Sequence, residues 1–274
     1  MVAAAKMKGT ETRLLAGRTF GARTSEAAFP TDPEFVYDED DSACQLKTDA
    51  ASNAMLLITS DKGLCGGVNS SITKTARLAM DKYSEAGNAD SVSFSIIGDK
   101  GRSVIQRLYG DKLSYTMDET WRNAPNFAQA SAIATRVMES DADRAQVVFN
   151  TFESAISYRQ TIINCDNFAK GTEDKIAEGG SGIPEFFEGY EFEPESTTEA
   201  LENLYEFGLA STIYYGMLES ATSEESSRMA AMDNASKNAG EMIETLTLRY
   251  NRARQASITT ELIEIISGAA ALEG

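Results

Sequence analysis

Apolar residues in the C-terminal third of the chain recur at helical spacing: Leu201, Leu204 and Met217, then Met232, Ala235, Ala239, Met242, Leu246, Tyr250, Ala253 and Ala256. No proline interrupts Ser196–Leu272, so the pattern predicts one helix over Thr197–Ala271, capped by Ser196, Thr197 or Thr198. At about 1.5 Å per residue such a helix is roughly 110 Å long, several times the width of a small domain. Beyond Met232 the apolar ribbon is narrow and rich in alanine, which fits the seam of a coiled coil better than the broad face of a globular helix. Polar residues occupy the outer positions, among them Lys237, Glu241, Arg249, Arg252, Arg254 and Gln255. The alternative is a pair of shorter helices broken near Gly240 or around Thr222–Ser227, although an interior glycine costs only about 1 kcal/mol relative to alanine.

Residues 1–28 also read as a helix, basic in character, with Met7, Leu14, Leu15 and Phe20 among its apolar members and Gly9, Gly17 and Gly21 against it. It is the natural antiparallel partner of the C-terminal seam. Phe29–Asn53 reads as an acidic, turn-rich loop, carrying Pro30, Pro33 and the run Asp38–Asp41. That run lacks the alternating ligands and glycine of an EF-hand, so a solvated charge run is expected and no metal site. From Ala54 the chain alternates between strands and helices. Strands are expected at Met55–Thr59, Val92–Ile97, Leu113–Met117 and Gln146–Phe149, and helices at Val68–Ala86, Arg102–Tyr109 and Phe127–Met138. Ala155–Phe168 suggests an antiparallel edge strand, Glu173–Gly182 a glycine-rich acidic loop, and Phe186–Glu195 a last short strand. The predicted fold class is therefore α/β: a Rossmann-like domain over 54–196 with a mostly parallel sheet, plus a long antiparallel coiled coil formed by 1–28 and 197–274.

Charge and composition narrow the chemistry. The net charge of −17, from 42 acidic and 25 basic residues, repels phosphate backbones and argues against nucleic acid as a partner. Histidine is absent, which excludes Ser-His-Asp and Cys-His nucleophile systems and His-ligated zinc. The three cysteines, Cys44, Cys65 and Cys165, match neither a disulfide framework nor a CxxC metal site. No apolar run is long enough to span a membrane, and no secretory signal is expected.

The stretch Thr59–Asn69 joins a strand to a helix and is rich in glycine, a setting in which backbone amides can hold phosphate. It carries neither GxxxxGK[ST] nor GxGxxG. Two readings stand: a nucleotide-binding α/β enzyme that uses Gly63–Gly67 and has a helical oligomerisation arm, or a tight loop exposing Lys62 to a partner protein. Cys65 at the helix start lacks a histidine base and is expected to be a small buried residue. Arg249, Arg252, Arg254 and Gln255 form a polar belt on the long helix.

Four runs in order, Met1–Met7 (MVAAAKM), Ser60–Asn69 (SDKGLCGGVN), Arg228–Gly240 (RMAAMDNASKNAG) and Tyr250–Ala271 (YNRARQASITTELIEIISGAAA), resemble the gamma subunit of the rotary F-type ATP synthase. Asp233–Gly240 is more similar to mitochondrial than bacterial members. The resemblance implies a non-catalytic central-stalk rotor with no cofactor and no nucleotide. Its terminal helices would form the axle within a hexamer of alpha and beta subunits. Its α/β domain would stand on the proteolipid c-ring beside the epsilon or delta stalk subunit. The implied location is the matrix side of the mitochondrial inner membrane, or the cytoplasmic side of a bacterial plasma membrane. By position, the resemblance implies polar contacts with the catalytic head for Arg254, Gln255, Thr259 and Glu261. It likewise implies a role in coupling for Arg228, a beta-facing loop position for Lys62, and a tip in an apolar sleeve for Ile265–Leu272, including Ile266.

Overall fold

The computed structural model describes residues 2–29, 34–36, 48–170, 183, 187, 189–190 and 197–273. The chain divides into two compact units, Met1–Ala230 and Ala231–Gly274. Five α-helices are described: α1 (Val2–Ala28), α2 (Val68–Glu85), α3 (Asp99–Tyr109), α4 (Phe127–Met138) and α5 (Thr197–Glu273). The six described strands are β1 (Glu34–Val36), β2 (Asn53–Ile58), β3 (Val92–Ile97), β4 (Leu113–Met117), β5 (Arg144–Phe152) and β6 (Tyr158–Asp166). Helix α5 is unbroken through both Thr222–Ser227 and Gly240.

In the first unit the strands form one sheet in the order β1-β6-β5-β2-β3-β4. Strands β5, β2, β3 and β4 run parallel, and β6 and β1 extend the sheet antiparallel. Burial on both faces explains the unbroken apolar run of β2, whose six residues are all buried. Side chains alternate along it. Met55 and Leu57 join Ile72, Ala76, Met80 and Tyr83 of α2 and Ile105 of α3, while Leu56 and Ile58 join Ile133 and Val137 of α4 and Leu209, Ile213 and Met217 of α5.

Two expectations are corrected. The strand expected within Ala155–Phe168 is antiparallel but not an edge, because Glu34–Val36, inside the stretch read as an acidic loop, pairs along its outer side. Helix α3 begins at Asp99 rather than Arg102, since Gly98 adopts φ +95° and turns the chain directly from β3 into the helix. A Cβ at Gly98 would sit 2.4 Å from the Thr59 carbonyl oxygen, so only glycine permits that approach. The loop expected at Glu173–Gly182 lies outside the described residues. So does most of Phe186–Glu195, where the described Phe187 accepts a turn hydrogen bond from the Tyr190 amide.

Within this unit α1 lies against the early part of α5. Ser25 meets Thr212 (3.1 Å between hydroxyls) and Arg18 meets Glu219 (2.8 Å). Gly21 faces Tyr215, and Ala28 faces Gly208. Numbers fall on one helix as they rise on the other, so the two run antiparallel.

The second unit is helical throughout its described length. From Met232 to Ala271 every residue except Asn251 is exposed. Its apolar side chains include Met242, Leu246, Tyr250, Ile258, Leu262, Ile265 and Ile266.

Candidate functional site

The order of strands places a topological switch between β2 and β5, since β3 and β4 continue on one side of β2 and β5 lies on the other. A doubly wound sheet opens a ligand crevice at the carboxyl ends of such strands. Here the chain's own α5 covers that position. Gly216 brings the helix backbone down on Ile58 and Phe149, where a Cβ would be 2.9 Å from Ile58 Cδ1. One turn on, the Glu219 carboxylate accepts from the Phe152 amide at 2.8 Å and from Arg18 Nε at 2.8 Å and Nη2 at 3.1 Å. Arg18 also donates to the Phe152 carbonyl at 2.9 Å, so one ion pair ties α1, α5 and the end of β5 together.

Three serines continue the seal. The hydroxyls of Ser223, Ser226 and Ser227 donate to the carbonyls of Asn150, Ala155 and Cys65 at 3.2, 2.7 and 2.7 Å. The glycine-rich loop is therefore fixed from outside by α5. It is also fixed from within: the Ser60 amide donates to Asn69 Oδ1 at 2.9 Å, and the Ser60 hydroxyl to the Lys62 carbonyl at 2.6 Å. Leu64 and Gly66 take left-handed conformations (φ 62° and 61°), and a Cβ at Gly66 would press to 2.7 Å from Ser227 Oγ. The nucleotide-binding reading of Gly63–Gly67 loses its crevice to α5.

Cys65 is buried, and burial raises its thiol pKa against the opposing hydrogen bond from Ser60. Cys165 is fully buried and raised for the same reason. Thiolate is the reactive form, so both cysteines are expected to resist a thiol reagent in the native chain and to react once urea unfolds it. Rapid labelling of Cys65 without denaturant would contradict this packing.

Lys62 and Arg228 belong to one neighbourhood, because the loop bonds α5 at Ser227. Arg228 is largely buried and pairs with both Glu224 and, at 2.8 Å, Glu225. Burial disfavours its charge, but the hydrogen bond and field of Glu224, with Glu225, outweigh that and raise its pKa. Glu224 is raised by burial despite Arg228. Beside this network, α1, α5, Lys62 and residues 121–125 enclose a cleft of about 380 Å³. Trp121, the only tryptophan, stands at its wall and donates Nε1–H to the Thr59 carbonyl at 2.7 Å.

The remaining expected site residues lie in the second unit. Arg254, Gln255, Thr259, Glu261, Ile265 and Ile266 are all exposed. Arg254 has no ion pair among the described residues. Thr259 donates to the Gln255 carbonyl at 2.8 Å, a bond within the helix. Glu219, Ser223 and Trp121 went unnoticed in the sequence. Small hydroxyls in a helix carry no signal that separates a clamp from a solvated face.

A family profile described as ATP synthase matches residues 1–272. The chain is 38% identical to the mitochondrial ATP synthase F(1) complex subunit gamma of Rattus norvegicus, over all of this chain and 91% of that one. It is 40% identical to the mitochondrial ATP synthase subunit gamma of Drosophila melanogaster, over 99% of this chain and 83% of that one. Among solved structures, a central-stalk/c-ring chain of the Tetrahymena thermophila mitochondrial ATP synthase aligns with TM-score 0.64 at 30% identity, covering 86% of this chain and 96% of that one. A chain of the Euglena gracilis mitochondrial enzyme shares the fold at TM-score 0.69 and 19% identity, covering 99% of this chain and 93% of that one.

Proposed function

The chain belongs to the gamma-subunit family of ATP synthase, as a non-catalytic central-stalk subunit, and we propose that it turns as the rotor within its complex. In this reading Met1–Ala230 supplies the foot and part of the shaft, and Ala231–Gly274 supplies further shaft. Helices α1 and α5 form the antiparallel coiled coil, 54–196 the foot domain, and 29–53 an acidic connection that carries strand β1. The partners are the alpha and beta subunits of a catalytic hexamer, the epsilon or delta stalk subunit and the proteolipid c-ring. Its place is mitochondrial, on the matrix side of the inner membrane, in keeping with the mitochondrial relatives.

The observation that supports this most is the second unit itself. A stretch of exposed helix carrying Leu246, Tyr250, Leu262, Ile265 and Ile266 finds no apolar partner among the described residues, and such surface belongs against another protein. Arg254, Gln255, Thr259 and Glu261 would meet the catalytic head there, and Ile265 and Ile266 an apolar sleeve. Lys62 would face the beta subunits. Arg228, tied to Glu224 and Glu225, would hold its turn of the helix against the loop that carries Lys62.

Contacts that must form and release in each turn have to be weak individually. An exposed ion pair contributes about 0–1 kcal/mol, which is enough to bias a state and little enough to leave it. Arg254→Glu in the assembled complex is expected to lower proton transport per ATP hydrolysed. The stability of the chain should change by no more than about 0.5 kcal/mol, because the side chain is exposed. Unchanged coupling alongside collapsed thermal stability would remove Arg254 from the contact set.

A further inference from the structure

We propose that the cleft between α1 and α5 is a binding site for a small polyvalent oxyanion of the phosphate class, with inorganic pyrophosphate as its simplest probe. This stands apart from the rotor reading and does not depend on it.

The lining explains the choice. Lys6 and Arg13 project from one face of α1, and Lys62 and Arg122 approach from the loop and from beside Trp121. Lys6, Arg13 and Lys62 have no ion pair among the described residues, and Arg122 has only an exposed contact with Glu119 at 3.5 Å. In a chain of net charge −17, three cations without an ion pair among the described residues around one concavity are out of keeping with their surroundings. Glu224 and Glu225 also line the cleft, but both are committed to Arg228, which limits their repulsion of an anion. Trp121 and Pro125 complete the lining with apolar surface. A volume of about 380 Å³ suits a small ligand rather than a length of polypeptide. Lysine and arginine donors gathered around one cleft, three of them without an ion pair among the described residues, are the usual recognition chemistry for phosphate oxygens.

The full chain is titrated with pyrophosphate at low ionic strength, by calorimetry and by Trp121 fluorescence. Saturable binding is expected to weaken about two- to fivefold for Lys6→Gln and for Lys62→Gln, as befits exposed charges. It should disappear when both are combined with Arg13→Gln, and it should weaken as salt is raised. Lys8→Gln, on the same helix but outside the cleft, should bind as the parent does. Circular dichroism verifies that each variant is folded. The proposal is overturned by the absence of saturable heat, by a loss at Lys8→Gln equal to that at Lys6→Gln, or by a hexaglutamate peptide binding as tightly as pyrophosphate.

Discussion

Glu219→Met is expected to destabilise the Met1–Ala230 unit by about 3 kcal/mol, seen as a fall of roughly 6–12 °C in the unfolding midpoint. The carboxylate is fully buried and accepts three hydrogen bonds, two from Arg18 and one from the Phe152 amide. Removing it leaves the Phe152 N–H without that acceptor, at a cost of about 1–3 kcal/mol, and leaves Arg18 facing an apolar side chain. The Arg18 side chain is 40% exposed, so water relieves part of its loss and the figure sits at the low end for a broken buried pair. Arg18→Met is expected to be destabilising too, since it strands a buried carboxylate. The double variant tests the cause. With both residues changed to methionine neither charge is left unpaired, and much of the loss should be recovered, apart from the orphaned amide. If the double variant loses the sum of the two single losses, the ion pair is not what joins α1, α5 and β5.

How far the sequence disclosed this arrangement depends on the range of the interactions involved. Strands β3 and β4 and helix α4 fall at the expected boundaries, because a strand or helix with one buried face writes its period into consecutive residues. The long helix was legible for the same reason. Strand β1 was not: three residues, Glu34–Val36, are too few to show an alternation, and prolines and aspartates surround them. Its partner β6 was accordingly misread as an edge.

Lys62 stood out in its glycine-rich loop and Arg228 through likeness to a family, but nothing in the sequence placed the two in one neighbourhood. Nothing local to Ser223, Ser226 or Ser227 says that these hydroxyls hold carbonyls of Asn150, Ala155 and Cys65, between 71 and 162 residues away along the chain. Thr222–Ser227 even read as a candidate break, since hydroxyl side chains compete for the backbone of an isolated helix. In the folded chain these serines have distant carbonyls to satisfy, and the helix passes through them intact. The seam of the second unit shows its helical period as plainly but not its partner: residues 1–28 are the expected one, yet the described hydrogen bonds and close approaches of α1 to α5 fall on Gly208–Glu219 and the seam residues are exposed.

Four glycines of α1 and α5 fall into two groups with opposite expected signs. Gly9 and Gly240 have nothing within 4 Å of an added Cβ, so Gly9→Ala and Gly240→Ala should each stabilise their helix by about 1 kcal/mol through backbone entropy alone. Gly21 and Gly208 look the same in the sequence, yet a Cβ would fall 2.6 Å from Tyr215 Cβ at Gly21 and 2.4 Å from Ala28 Cβ at Gly208. Those neighbours are fixed to the backbone and have no rotamer to escape into, so α1 and α5 would have to separate. Gly21→Ala and Gly208→Ala are therefore expected to destabilise by about 1–3 kcal/mol despite the better helix propensity of alanine. Gly17→Ala should fall between the groups, because the nearest atom is Leu218 Cδ1, at the end of a side chain that can turn aside. Thermal unfolding of the five variants orders them, and a stabilising Gly21→Ala would mean that α1 does not lie against Tyr215. Of the three glycines that count against a helical reading of residues 1–28, Gly17 and Gly21 are thus what lets α1 approach α5, and only Gly9 is a true weakness.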